Sequence, residues 1–316
     1  MSGIAFSTPL FLLVASVVAM ISSGGASFLS RHLGAKEHEK AEKMLGAIVV
    51  TGIITSSALA VAFYIYLDPV FDLMGVTDNI RPYALEYTIP YLFVIPVFQL
   101  LHSTLEFFRV EGRTQILSVF VVVSTILNIA LDAVFIIVLE MGVTGAIYAT
   151  IVALVTTMLA ALIVYVRSEM VLKLRLTHFL IGWRDVLNIF KVGLPTFMGA
   201  VSATIAIGII NVTITTYGGD DADIMVGAFG VVYRVVLFVS APIMGFAIAL
   251  QTVSGYNYGA KLFDRVKQSL VSACVAGTIA STLLALPMSF MPETIYTWFS
   301  DEPVLVKHAS DISILV

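Results

Sequence analysis

The chain has 316 residues, of which 59% are apolar and 12% are charged, and its net charge is −4. Soluble domains carry about 25% charged residues, so the composition excludes a soluble globular protein and indicates a polytopic membrane protein. The negative net charge gives no basic surface for nucleic acid, and we expect no such partner. With one cysteine, Cys274, and five scattered histidines, the sequence predicts no internal disulfide and no metal site.

Eight apolar stretches are long enough to cross a bilayer, which needs about 20 apolar residues per helix. In chain order they run over 5–29, 46–67, 87–108, 116–139, 143–166, 192–217, 225–255 and 268–290. A ninth begins near Val304 and reaches the last residue, Val316. The period-2 alternation of β-barrel strands is missing. The sequence therefore predicts an all-α polytopic membrane protein with about eight complete transmembrane helices and the start of a ninth.

The basic residues fall on alternate connections between these stretches. The connections at 31–43, 109–113, 167–191 and 261–267 hold 14 of the 17 Lys and Arg residues. By the positive-inside rule these connections are cytoplasmic and the start of the chain lies outside. We therefore expect a multi-pass protein of the plasma or inner membrane, with the lipid bilayer as its surroundings.

An internal repeat emerges when the chain is shifted by 225 residues. The tripeptide Gly34-Ala35-Lys36 then falls on Gly259-Ala260-Lys261, and 12 of the 58 positions from 34 to 91 are identical. Both copies of the tripeptide are on the predicted cytoplasmic side, so the repeats are parallel, and six helices separate equivalent elements. The sequence therefore predicts a bundle of two parallel six-helix repeats.

The repeat also predicts how the chain is divided. Residues 1–170 form an N-terminal repeat that lacks its first helix, and 171–191 form a cytoplasmic linker. Residues 192–316 form a C-terminal repeat that is truncated at its fourth helix. On this interpretation the sequence is a fragment of a longer protein, and we expect the fragment alone neither to transport nor to fold stably.

Several segments carry a family resemblance. Ser27–Lys43 (SFLSRHLGAKEHEKAEK) and Gly255–Lys267 (GYNYGAKLFDRVK) follow equivalent helices of the two repeats. Glu106–Thr114 (EFFRVEGRT) ends another helix, and Asn128 and Asp132 form an Asn-x-x-x-Asp pair. In these features the chain resembles the multidrug and toxic compound extrusion (MATE) family of antiporters, in particular its DinF-like branch.

The resemblance implies a 6 + 6 helical fold whose central cavity opens alternately to each side. It implies export of small, often cationic, organic compounds in exchange for H⁺ or Na⁺ by a monomer, without another cofactor. Members of the family carry a further acid on the first helix, which this chain lacks. The NorM-like branch relies on an acid in the seventh helix, and the stretch 192–217 contains none. This difference favours the DinF-like branch.

Asp132 is the acid that lies inside a predicted span, roughly 24 Å along the stretch that begins at Ile116. A charged group there costs about 2.5–3.5 kcal/mol to insert, so it faces the bundle interior or a watery cavity. A proton and a cationic substrate or Na⁺ would compete for this carboxylate, which is the simplest form of antiport. The alternative is a neutral carboxyl that is hydrogen-bonded to a neighbouring helix.

Two more polar residues share the helix face of Asp132. Ser124 and Asn128 precede it at intervals of four, which places all three on one stripe. Asn128 either orients the carboxylate, supplies its carbonyl oxygen to a cation, or joins helices by a hydrogen bond. The resemblance adds Thr150, on the next helix, to the same cluster, although a Thr in a membrane helix usually bonds its own backbone.

Glu106 and Arg109 are three residues apart at a predicted cytoplasmic helix end. They form either a gating ion pair that stabilises one state of the cavity or a solvated interfacial pair.

Three other functions compete with antiport. A flippase for lipid-linked glycans, from the same fold superfamily, would line its cavity with Lys or Arg to hold pyrophosphate, and no basic residue lies in mid-span. An intramembrane enzyme needs paired reactive groups, whereas Asp132 stands alone, so we expect no enzyme activity and no catalytic residue. A structural or receptor role leaves Asp132 and Asn128 unexplained.

Overall fold

A computed structural model describes residues 2–74, 76, 79–179, 181–299 and 302–313. Within these residues the chain forms helices and short connections, with no β-strand. The helices are α1 Ser2–Gly34, α2 His38–Leu73, α3 Arg81–Val110, α4 Thr114–Asp132, α5 Gly142–Arg167, α6 Trp183–Tyr217, α7 Ala222–Gly259, α8 Phe263–Phe290, α9 Pro292–Tyr296 and α10 Pro303–Ser313. A π-helical turn, Ala133–Val138, continues α4, and short 3₁₀ turns lie at Leu176–Phe179 and Gly219–Asp221.

The all-helical prediction is confirmed. Eight helices are long and apolar enough to cross a membrane among the residues that are described, and they coincide with the eight predicted stretches. The ninth predicted stretch corresponds to α10, which begins at Pro303. Most helices extend several residues beyond the apolar stretches, because polar residues at a helix end keep their backbone hydrogen bonds in the interfacial region. The largest difference is α6, which starts at Trp183 instead of residue 192.

The two Gly-Ala-Lys segments have the same backbone structure. Lys36 and Lys261 both adopt the left-handed conformation, with φ of 60°. The N–H of Lys36 donates to the carbonyl of Leu33 at 3.0 Å, and the N–H of Glu37 donates to that of His32 at 2.9 Å. The equivalent bonds after α7 run from Lys261 and Leu262 to Tyr258 and Asn257, at 3.0 and 2.9 Å. Both turns are Schellman caps, and in both the left-handed residue is the lysine instead of the glycine.

The chain divides into two compact units, residues 1–200 and 201–316, with the division inside α6. The predicted boundaries of the repeats and linker stay a prediction. In the first unit α1, α2, α3 and α5 pack around an apolar core that includes Ile21, Leu45 and Phe108, all fully buried. In the second unit α7 packs against α8 and α10, around Val232 and Tyr296.

Glycines allow helices of the first unit to approach closely. A Cβ on Gly24 of α1 would clash with the carbonyl oxygen of Ile189 on α6, and a Cβ on Gly193 would clash with that of Met20. Gly52 of α2 similarly faces Gln99, whose Cγ would lie 2.8 Å from an added Cβ. In lipid, apolar surface gives little drive for helix association, so such close packing is what holds membrane helices together.

The connection between α5 and α6 is held against the first unit by two glutamates. The Glu111 carboxylate accepts the N–H groups of Val171 and Leu172, at 3.1 and 2.8 Å. Glu42 accepts the N–H of Lys173 at 3.1 Å and lies 3.8 Å from the imidazole of buried His178. The segment 168–179 is therefore a docked element of the first unit, because its backbone donors bind carboxylates of that unit.

Candidate functional site

Asp132 is the last residue of α4, at the point where the α-helix changes into the π-helical turn. Its side chain is half-buried. Its Oδ1 atom is fully enclosed and has no hydrogen-bond partner among the residues described. A buried oxygen without a partner is costly, and π-turns occur often at functional sites, so both observations single out this residue.

A cavity of about 260 Å³ lies between α3, α4 and α5. Its polar lining comes from Ser124, Thr125, Asn128 and Thr150, and its apolar lining comes from Phe98, Leu101, Ala153 and Leu154. The amide Nδ2 of Asn128 donates to the hydroxyl of Thr150 at 3.4 Å. The Thr150 hydroxyl donates in turn to the carbonyl of Ala146 at 3.0 Å.

The structure thus brings Ser124, Asn128 and Thr150 together at one cavity. Asp132 lies one helical turn beyond Asn128 on the same face of α4, outside the wall of the cavity. Both alternatives raised for Thr150 are observed at once, since its hydroxyl bonds its own helix and also accepts from Asn128. The roles predicted for these residues stay predictions.

Glu106 and Arg109 form an ion pair within α3. Their exposed fractions are only 6% and 9%, so the pair is buried instead of solvated. The Arg109 Nε atom has no partner within the described part of the chain. The pair lies at the end of α3, as predicted, and the last turns of this helix, which ends at Val110, pack into the core. Whether the pair controls access to the cavity stays a prediction.

A buried polar cluster that was not evident from the sequence joins α1 and α3. Gln99 donates from Nε2 to the hydroxyls of Ser22 and Ser103, at 3.0 and 2.9 Å, and all three side chains are 1% exposed. The amide oxygen of Gln99 has no partner among the described residues. A glutamine inside a predicted span was the available signal, but its partner Ser22 is 77 residues away.

The lining of the cavity is neutral. Hydroxyl, amide and apolar groups make up the described lining, which contains no Lys or Arg. A pyrophosphate ligand is recognised best by Arg or Lys. The lining therefore lacks the groups that the flippase alternative requires.

Comparison with known proteins places the chain in a family. The MatE family model matches residues 1–134 and 195–316. The chain is 25% identical to the "Multidrug export protein MepA" of Staphylococcus haemolyticus, over 98% of this chain and 68% of that protein. It is also 25% identical to the "Probable multidrug resistance protein YoeA" of Bacillus subtilis, over 94% of this chain and 65% of that protein.

The fold also matches solved structures. An outward-facing multidrug resistance MATE family transporter superimposes with a TM-score of 0.92 at 22% identity, over 99% of this chain and 69% of that one. A transporter of the MOP superfamily from Pyrococcus furiosus superimposes with a TM-score of 0.90 at 23% identity, over 99% of this chain and 68% of that one. At these identities the likeness concerns the fold.

The chain spans about two thirds of the length of the curated relatives that it matches. The family model nevertheless matches most of the chain, in two segments that cover parts of both units. The comparisons do not separate a DinF-like branch from others, so that branch stays a prediction. The chain belongs to the MatE family of multi-pass membrane transporters, which are not enzymes.

Proposed function

We propose that this protein exports small organic compounds by antiport against H⁺ or Na⁺, and that Asp132 binds the coupling cation. The observation that carries the proposal is the arrangement on α4. An acid with an enclosed, unpartnered oxygen lies one turn from a cavity that Ser124, Asn128 and Thr150 line.

Coupling follows from competition for one carboxylate. A deprotonated Asp132 attracts a cation, and the carbonyl and hydroxyl oxygens of Asn128 and Thr150 are suitable further ligands for Na⁺. Protonation removes the negative charge and releases the cation. If the protein closes only when the site is occupied, alternating access converts this competition into exchange transport.

The substrates fit the same region by chemistry. Phe98, Leu101 and Leu154 give the cavity an apolar surface, and Asp132 provides a negative charge close by. Organic cations with apolar bodies match this combination. Relatives that are named multidrug exporters support the choice of small organic compounds. We further propose that the transporter acts as a monomer.

The test uses the protein produced from its complete gene in proteoliposomes. Efflux of a fluorescent organic cation is followed under an imposed H⁺ gradient and, separately, an imposed Na⁺ gradient. The variants are Asp132→Asn, which is nearly isosteric, and Glu140→Gln, which removes an acid from the exposed connection after α4. We expect wild type and Glu140→Gln to transport, and Asp132→Asn to lose at least 90% of the gradient-driven rate.

The other outcomes are equally informative. If Asp132→Asn leaves efflux unchanged, Asp132 does not couple transport, and the coupling cation binds at another site. No efflux under either gradient would contradict antiport, and a lipid-linked glycan in a scrambling assay would then be the next ligand. The gradient that drives efflux identifies the coupling ion.

A further inference from the structure

The second unit contains a cavity of about 260 Å³ between α7, α8 and the α9–α10 segment. Four hydroxyl-bearing residues line it, namely Ser240, Ser289, Tyr296 and Ser313. The rest of its lining is aliphatic or methionine, and none of the lining residues is charged. These residues differ from those of the Asp132 region, so the cavity is independent of the proposed export function.

The internal repeat shows how this cavity arises. A shift of 225 residues places Val235, Tyr296 and Ala309 of the second core on Leu10, Phe71 and Ala84 of the first unit. Each of these six residues is buried in its own unit. The two cores are therefore equivalent, and residues at equivalent positions are directly comparable.

At two equivalent positions, the second unit has a smaller or more flexible side chain than the first unit. Val236 replaces Phe11, and Met288 replaces Phe63. In the first unit both phenylalanines pack against the core, and the Phe11 ring lies 3.9 Å from that of Tyr91 between centroids. Two aromatic rings thus occupy the region of the first unit that corresponds to the cavity.

A buried hydroxyl pair of the first unit has no equivalent in the second. In the first unit Ser7 and Thr88 are hydrogen-bonded at 2.7 Å. Their equivalents are Val232, which has no hydroxyl, and Ser313, while Tyr296 replaces Phe71 and brings a hydroxyl to the second core. Ser313 donates its own proton to the carbonyl of Ser310 at 2.8 Å. The Tyr296 hydroxyl, like any phenolic hydroxyl, can both donate and accept a hydrogen bond.

We propose that the second unit holds a binding site for a small neutral aromatic alcohol, such as a phenol or naphthol, in this cavity. A 150 Å³ cavity binds benzene, so about 260 Å³ accommodates a fused two-ring system. An ionic ligand is disfavoured because no lining residue would compensate its charge. The ligand ring occupies the region of the second unit that corresponds to the position of Phe11 and Phe63 in the first, and Met288 packs against it. The ligand hydroxyl donates to the Tyr296 oxygen.

The protonation state of Tyr296 is suited to this role. Its side chain is 1% exposed, and burial raises the pKa of its hydroxyl above the usual value, although the nearby Ser313 hydroxyl partly opposes this. The hydroxyl therefore stays neutral at physiological pH and keeps its proton.

The test measures binding of 2-naphthol to the protein produced from its complete gene, reconstituted in nanodiscs, with empty nanodiscs subtracted. We expect saturable binding of one naphthol per chain. Val236→Phe combined with Met288→Phe restores the aromatic residues of the first unit and should weaken binding at least 10-fold. The matched control is Leu237→Phe, which adds the same ring at a position on α7 that is 41% exposed, and it should leave the affinity unchanged.

Two further variants sharpen the result. Phe11→Val with Phe63→Met opens the equivalent region of the first unit and should raise the stoichiometry from one to two. Tyr296→Phe removes one hydrogen bond and should weaken naphthol binding about 2- to 10-fold while leaving naphthalene binding unchanged.

Absence of saturable binding to wild type would overturn the proposal, as would full affinity in the Val236→Phe/Met288→Phe variant. Equal loss of naphthol and naphthalene in Tyr296→Phe would overturn the role of its hydroxyl. If the double variant is not monodisperse in gel filtration, Met288→Phe alone applies the same test with a smaller volume change.

Discussion

At the scale of single residues, two lysines that look ordinary in the sequence have an unfavourable backbone conformation in the structure. The left-handed residues Lys36 and Lys261 have side chains whose Cβ is disfavoured in that conformation. At the third turn of this type, after α3, the left-handed residue is Gly112, with φ of 77°. The same Schellman cap is therefore built once with the preferred residue and twice without it.

This comparison predicts that Lys36→Gly stabilises the protein. Glycine adopts the left-handed conformation without the Cβ penalty, so we expect a gain of roughly 1 kcal/mol in the free energy of unfolding. Thermal unfolding of the purified protein measures it, with Lys36→Ala as the control for loss of the charge. A gain in the alanine variant that equals the gain in the glycine variant would show that the charge, and not the backbone, matters.

The buried Glu106–Arg109 pair makes a second prediction at this scale. Glu106→Gln leaves the Arg109 guanidinium buried without a compensating charge, which costs about 3–5 kcal/mol in comparable pairs. We expect a marked loss of thermal stability, of which the double variant Glu106→Gln/Arg109→Met recovers a large part.

The matched control for this pair is Lys40→Met, which breaks the exposed contact between Lys40 and Glu37. Exposed pairs contribute little to stability because water and salt screen them, so this variant should be close to wild type. Equal effects of Glu106→Gln and Lys40→Met would mean that the Glu106–Arg109 pair is solvated.

At the scale of helices, the packing of α6 against the first unit depends on its crossing with α1. Gly193 lies against the backbone of α1, whereas Gly199, on the same helix, has open space around its Cα. Both positions hold glycine, but one is tightly packed and the other has no neighbour near its Cα. Apolar helix surfaces do not select their partners in lipid, so the position where small residues meet determines where such helices cross.

We therefore expect Gly193→Ala and Gly199→Ala to have opposite effects. The new methyl group at residue 193 clashes with the Met20 carbonyl and should destabilise the protein by about 1–3 kcal/mol. At residue 199 alanine improves helix propensity and should be neutral or stabilising by about 0.5–1 kcal/mol. Unfolding midpoints of the two variants check this, and a stable Gly193→Ala variant would contradict the close crossing.

At the scale of the whole molecule, the segment between the two predicted repeats is not a free tether. Its backbone N–H groups bind Glu42 and Glu111, and Leu172 within it is fully buried. A docked connection resists proteases, because cleavage requires several extended residues to leave the surface.

This docking predicts the pattern of limited trypsin digestion. We expect wild type to resist cleavage after Lys173 and Arg175, and Glu42→Ala/Glu111→Ala to be cut there several times faster. Cleavage is followed by mass spectrometry of the fragments. Glu140→Gln, which changes an acid away from this segment, is the control, and equal cleavage in all three proteins would contradict docking through these carboxylates.

Much of the fold was predictable from sequence because the bilayer imposes simple rules. Apolar length gives the eight spanning helices, and the repeated Gly-Ala-Lys segment anticipates two caps with the same hydrogen bonds. The stripe of Ser124, Asn128 and Asp132 was visible from its spacing of four on one helix. Its contact with Thr150 came from the family resemblance, because spacing along the chain carries no information about which helix lies opposite.

What the sequence determined by itself is therefore the class of protein, the helices and the acid inside a span, since each follows from hydrophobicity, charge or helical periodicity over short segments. The tertiary structure decided which polar groups meet. It placed Gln99 on Ser22, buried the Glu106–Arg109 pair, held the segment 168–179 on two glutamates and left a cavity beside Met288. The burial of the Glu106–Arg109 pair and the contacts between different elements all depend on how each helix is rotated and packed in three dimensions.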